Sequence, residues 1–550
     1  MKKLWAVIAV LALAAVATLG LVSCGGGSSS TSGGGKKGGT LNATYASFPD
    51  YLDPQLSYTA EGWTAMADVY IPLLTYKHAE GTEGSEVIPG LAKEMPKISK
   101  DEKTYTLFLR PGLKYSNGEP VKASDFTYAV ERCIKLNSGG SVFYTSAIKG
   151  AEKFAETKSG GIPGIKTNDK TGEIKIELEK PRGTFTNELG LMFVAPIPQK
   201  TPMEDLSANP PPATGPYMIT KSQPGQGWEY ARNPQWAKVN SKAMPEYPSG
   251  NIDGAKITIV RNPQTQVNDI EQGRYDWMQN PPPASRYAQV KEKYEGSQFK
   301  VVPTISVYYF WMNTTKPPFN NVKVRQAVNY AINPAALERV YAGQIKASHQ
   351  VLPEGMPGRK TIDLYPYNMA KAKEMIEEAH PSDMNITVWT DTESPNKEAG
   401  EYYEGVLKEL GFNTKLKEIN ADNYFTVIGN RSTPDLDTGW SDWFQDYPHP
   451  NDFFQPLLAG ESILDTNNGN FAEINEPSLN NEISRLREQQ LGPEQEEKYA
   501  ALDKKYMELA PWAPYGQRTL STFVSSAINL ESVIFNPTFG HYLTSFEFNE

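Results

Sequence analysis

Residues 385–419 read NITVWTDTESPNKEAGEYYEGVLKELGFNTKLKEI, and this stretch holds one complete structural unit. Ile386-Thr387-Val388-Trp389 is β-branched and aromatic and predicts a strand. Ala399, Tyr402, Tyr403, Val406, Leu407 and Leu410 recur at three- and four-residue spacing and predict one helical stripe. Gly411 stands where a left-handed residue ends a helix. Lys415-Leu416-Lys417-Glu418-Ile419 predicts a second strand. A strand, a helix and a strand in this order imply a right-handed parallel crossover, so the fold class is α/β.

The same signals alternate through the rest of the chain. Thr104 to Arg110 predicts a strand turned by Pro111-Gly112, and Glu173 to Leu178 a half-buried strand with Ile174, Ile176 and Leu178 on one side. Lys256 to Val260 predicts another. Asn333-Pro334 reads as a helix cap followed by proline in the first helical position. Residues 480–510 predict helix, with Pro493 separating two segments. Phe126, Ala129, Val130, Cys133 and Ile134 follow a helical face, which makes Cys133 a small buried hydrophobe.

The chain has 550 residues, a net charge of −10, and 11% aromatic residues that include 29 Tyr and 10 Trp. This composition excludes a disordered or fibrous chain. The acidic balance argues against nucleic acid as a partner, since that needs a concentrated Lys/Arg field. The aromatic content suits a large core and equally an aromatic-lined cleft. With 2 cysteines in all, the chain is not a disulfide-stapled secreted scaffold.

Met1-Lys2-Lys3 and the apolar run Leu4 to Val22 have the charge and hydropathy of a secretory signal, here residues 1–23. The closing Leu21-Val22-Ser23-Cys24 resembles a bacterial lipobox, in which Cys24 becomes the lipidated first residue. The alternative is an uncleaved membrane anchor, because the apolar run nearly spans a bilayer. Several acyl chains on Cys24 would hold the protein firmly to a membrane. Residues 25–39 form a flexible Gly/Ser linker. Loss of Lys2 and Lys3 takes the net charge from −10 to −12.

Chemistry-bearing motifs are sparse. The five histidines, His78, His349, His380, His449 and His541, are far apart. Neither metal-ligand spacing, a nucleophile elbow nor a phosphate-binding loop is found. Asp465 to Glu476 carries carboxylates like a calcium loop, but Gly469 sits one place early, which fits a polar surface loop. Neither a catalytic residue, a metal nor a cofactor is assigned.

A string of local patterns runs the length of the body. It begins with Leu52-Asp53-Pro54, Pro89-Gly90-Leu91-Ala92 and Tyr105 to Val121. Ala213-Thr214-Gly215-Pro216-Tyr217 and Arg232-Asn233-Pro234-Gln235-Trp236 follow, then Asn313 to Val328, and finally Asp442 to Pro450. In this order they closely resemble family 5 extracellular solute-binding proteins, the oligopeptide- and dipeptide-binding receptors of ABC importers. The resemblance implies a two-lobed, Venus-flytrap body of the periplasmic-binding-protein kind, with an extra α/β domain inserted in the first lobe. By that reading lobe I comprises residues 40–78, 210–305 and 518–550, the extra domain residues 79–209, and lobe II residues 306–517. Crossings near Ile305–Phe310 and Trp512–Thr519 would form the hinge, and ligand would drive closure by contacts that exist only when the lobes meet.

The resemblance also implies site residues. Asp446, three residues after Trp443, matches the aspartate that accepts a peptide's α-ammonium, although the residues alone also fit a loop or helix-capping aspartate. Trp443 and Trp440 are core residues by default and an aromatic wall over ligand side chains by the functional reading. Tyr58, Tyr144, Asn280 and Tyr308 fall where relatives line the cleft. The residue that would hold a ligand carboxylate is not placed. The expected protein is a monomeric, lipid-anchored extracytoplasmic receptor that captures a peptide and hands it to the permease subunits of an ABC transporter. The alternatives are a same-fold receptor for an oligosaccharide or nickel chelate, and a secreted hydrolase.

Overall fold

The computed structural model describes residues 36–466 and 468–550. Cys24 and the signal and linker expectations lie outside the described residues, apart from the last linker residues, 36–39.

The 385–419 unit forms as its pattern requires. Strand Asn385–Asp391 pairs in parallel with strand Asn413–Ile419, in register from Asn385↔Asn413 to Asp391↔Ile419. Helix Asn396–Glu409 joins them and buries Ala399, Tyr403, Val406 and Leu407. Tyr402 is only half-buried, and its hydroxyl accepts the Asn333 N–H at 2.7 Å. Gly411 has φ +95°, a conformation that side chains resist. Asn333 caps helix Pro334–Val340 by accepting from the Ala335 N–H. Pro493 opens helix Pro493–Leu509 rather than breaking one, since its missing N–H is not needed at a first turn.

A 12-stranded sheet carries the molecule. Its longest strand, Trp512–Val524, is shared. The first part pairs antiparallel with strand Ser306–Met312, and the second with Phe299–Pro303 and Trp277–Met278. Two large apolar cores flank this strand. One gathers residues from Leu41 to Trp277 and from Val524 to Phe546; the other runs from Ile305 to Tyr515. Tyr447 is the exception, for it packs into the first core although its chain neighbours belong to the second. A separate four-stranded sheet, with strands Lys97–Ile98, Thr104–Phe108, Ile165–Asn168 and Glu173–Glu177, packs against helix Ala123–Lys135. Cys133 lies fully buried on that helix, and burial pushes its thiol up to about 12.

The sequence patterns turn out to be joints. Asp53 and Arg132, both completely buried, form a bidentate ion pair with both contacts at 2.6 Å. Arg132 also donates to Gln55 and to the Pro202 and Glu204 carbonyls, so both charges of this pair are matched. Asn233 donates to the Gly215 carbonyl at 2.8 Å and ties two patterns together. Arg325 donates to the Phe319 and Leu509 carbonyls. In the calcium-like stretch, Arg431 pairs with Asp465 and Glu473. Among the described residues no helix is long and apolar enough to cross a membrane.

Candidate functional site

The two cores meet at Asp446. Strand Thr438–Phe444 ends beside strand Ser306–Met312, and the chain then turns through Tyr447 to Pro450 into helix Asn451–Leu458. Asp446 sits in this turn, half-buried. Its Oδ2 accepts the Tyr58 hydroxyl at 2.7 Å, a contact between side chains 388 residues apart. Among the described residues no hydrogen bond reaches Oδ1.

Tyr58 is held from beneath. Asp50 accepts the Tyr58 N–H at 2.6 Å and the Ser57 and Thr59 hydroxyls at 2.7 and 2.8 Å, which shapes the loop. The Tyr58 ring lies parallel to Trp63, with centroids 6.0 Å apart, and meets Phe193 edge-on at 5.1 Å. Gly139 permits this packing, because a Cβ there would stand 2.6 Å from the ring.

A second carboxylate backs the first. Asp452, 1% exposed, accepts the Asp446 N–H at 2.9 Å and the Trp443 indole N–H at 3.3 Å. Burial pushes the Asp446 carboxyl up to about 7. Burial and then the Asp446 charge raise Asp452 as well. Two carboxyls that share a desolvated corner hold protons more readily than free carboxyls, and a cation placed there would favour their ionised forms. Burial also raises the Tyr58 phenol, and the Asp446 charge adds to this, so Tyr58 stays a donor.

The other sequence-expected residues divide. Trp443 is half-buried beside Asp446 through Asp452. Trp440 is 2% exposed, and its indole donates to the Tyr515 hydroxyl at 2.9 Å. Tyr308 is 6% exposed and sits edge-on to Trp440 and Phe444, both at 6.1 Å. Tyr144 is wholly buried and donates to the Glu188 carbonyl at 2.9 Å; its neighbour Phe143 is the residue that reaches Tyr58 and Tyr447. Asn280 accepts the Ala46 N–H at 2.8 Å, which ties two strand ends together. The structure thus brings Asp446, Tyr58 and Trp443 to one place, and Tyr308 with Trp440 to a neighbouring one. Tyr144 and Asn280 lie apart from that group in their bonding.

Phe143, Phe193, Trp63, Tyr447 and Asp452 also build this corner, and sequence reading does not single them out. Asp452 has a usable signal, since it follows Asp446 by six residues in the first turn of a helix, where the macrodipole favours an anion. The aromatic residues carry no such mark.

A family profile described as "Bacterial extracellular solute-binding proteins, family 5 Middle" matches residues 86–464. Heme-binding protein A of Haemophilus influenzae is 27% identical over 501 residues, 85% of each chain. Oligopeptide-binding protein OppA of Bacillus subtilis (strain 168) is 27% identical over 497 residues, 86% of each. Among solved structures, Clavulanic acid biosynthesis oligopeptide binding protein 2 superposes with a TM-score of 0.86 at 22% identity, covering 94% of this chain and 96% of its own. That likeness shows the two-lobed periplasmic-binding-protein fold.

Proposed function

Because the chain belongs to the bacterial extracellular solute-binding proteins of family 5, we propose that it captures short peptides between two lobes and delivers them to the permease of an ABC transporter. The observation that carries this reading is the Asp446 carboxylate at the meeting of the two cores, with the Tyr58 hydroxyl on Oδ2 and, among the described residues, no hydrogen bond on Oδ1. An α-ammonium supplies the donors and the charge that this desolvated corner lacks. Trp443 and Tyr58 flank that end of the ligand, and Tyr308 with Trp440 lines the next stretch; Tyr144 and Asn280 act as supports. The lobes follow the division 40–78, 210–305 and 518–550 against 306–517, with 79–209 as the inserted domain. The protein is a monomer held to the outer face of a membrane through lipid on Cys24.

The test combines native mass spectrometry of the purified protein with calorimetry. Co-purified peptides and micromolar or tighter binding of a free peptide support the reading. Asp446→Asn and N-acetylation of the peptide should each weaken binding about 30-fold or more, because each leaves one charge buried alone. The two changes together should cost less than their sum. Simple additivity removes Asp446 from contact with the ammonium. The likeness to Heme-binding protein A makes haem the second ligand to titrate, and binding of haem with no binding of peptides would replace this reading.

A further inference from the structure

The proposed site accounts for one end of a peptide. A charge for the other end stands two strands away. Arg518 lies in strand Trp512–Val524, where the two parts of the large sheet join. Its guanidinium rests over the Tyr341 ring at 5.1 Å and donates from Nη2 to Gln344 at a long 3.4 Å. Nη1 is buried and, among the described residues, has no hydrogen-bond partner. A buried guanidinium N–H without an acceptor is costly, and native proteins rarely leave one. The obvious acceptor is near and does not take it. Asp442 faces Tyr308 in register on the same side of the sheet. Burial pushes its carboxyl up to about 6 and the Arg518 charge acts on it through space, yet among the described residues the two form no ion pair.

We propose that Arg518 receives the terminal carboxylate of the bound peptide, with Nη1 as the vacant donor. This inference rests on the peptide reading above. Phe444 pairs with Ser306, and the Arg518 N–H donates to the Ser306 hydroxyl at 3.1 Å, so the three lie abreast on adjacent strands. At about 4.8 Å per strand, the Phe444 and Arg518 backbones are about 10 Å apart, and Asp446 follows Phe444 by two residues, which puts both charges within the reach of one short peptide. Phe444, an exposed ring, and Tyr308 edge-on to it stand between the two ends and pack without demanding a particular sequence.

The experiment titrates tetra-alanine, its C-terminal amide and its N-acetyl form into the full protein and into R518Q and R518K. With the parent, amidation is expected to weaken binding about 30-fold or more. R518Q should weaken the free acid by a similar factor and bind acid and amide alike. R518K should keep part of the preference, since it keeps the charge without the fork. A purely structural role for Arg518 would lower the affinity of both forms together, so an unchanged acid-to-amide ratio in R518Q overturns the assignment. If acetylation weakens binding and amidation does not, the Arg518 inference fails while the peptide reading stands. If neither change matters, or no form binds at millimolar concentration, both fail.

Discussion

If an α-ammonium docks on Asp446, capture of a peptide must expel a proton. The perturbation is pH, with Asp446→Asn as control. In the free protein the carboxyl is pushed up to about 7 by burial. It therefore carries about 0.9 of a proton at pH 6, about 0.5 at pH 7 and about 0.1 at pH 8. A bound cation favours the ionised form, so binding releases that fraction. The sign follows: affinity rises with pH through 7, by roughly sixfold between pH 6 and about pH 7.5, where the peptide's own amine begins to lose its proton. Asp452 is raised as well, by burial and then by the Asp446 charge. Through about pH 7.7–8.0 the peptide's own amine loses its proton in solution, and binding must then take a proton up. Affinity should peak between these limits. Calorimetry in two buffers of different ionisation enthalpy measures the protons exchanged at each pH. Close to one proton released at pH 6, and none from that source in Asp446→Asn, is the expected outcome. Absence of release at pH 6, or the same release in the variant, would refute the reasoning.

Metabolic labelling with a fatty-acid analogue should mark the parent protein and not Cys24→Ala, and equal labelling would dismiss the lipobox. Small-angle scattering should show a smaller radius of gyration at saturating peptide than without it; an unchanged profile counts against lobe closure. Arg132→Leu leaves Asp53 as a buried uncompensated charge and should cost about 3–5 kcal/mol in denaturant unfolding, with Asp53→Asn in the same chain recovering part of it. A loss below 1 kcal/mol would show that the joint is not a stability element.

Much of the scaffold is legible because its signals are local. The stripe of helix 396–409, the turn at Gly411 and the cap at Asn333 each lie within a few residues of their cause. The sequence patterns are legible as a family mark, yet their physical role is not. That Asp53 meets Arg132, or Asn233 the Gly215 carbonyl, depends on chain passes far apart. The site divides the same way. Asp446 stands out because the Trp443-to-Asp446 spacing is local. Phe143 and Tyr144 are adjacent aromatics, and only the pitch of their short helix decides which one reaches Tyr58. Trp440 illustrates a second limit, since an indole needs one hydrogen-bond partner in a core or in a cleft alike.

The strand Trp512–Val524 has a consequence for how the protein is made. Its later half completes pairing begun by residues 277–278 and 299–303, and Lys36 donates its N–H to the Phe548 carbonyl at 2.9 Å. The first half of the body cannot finish its sheet until residues 519–548 have left the ribosome and, for an exported chain, the translocation channel. Closing those pairings costs the entropy of very long loops, and that cost slows folding. For an exported protein such delay is useful, because a chain that cannot complete its fold early remains threadable. Cells would then face a nearly complete but unclosed sheet edge at the end of export, the moment at which a chaperone on the far side of the membrane has most to protect.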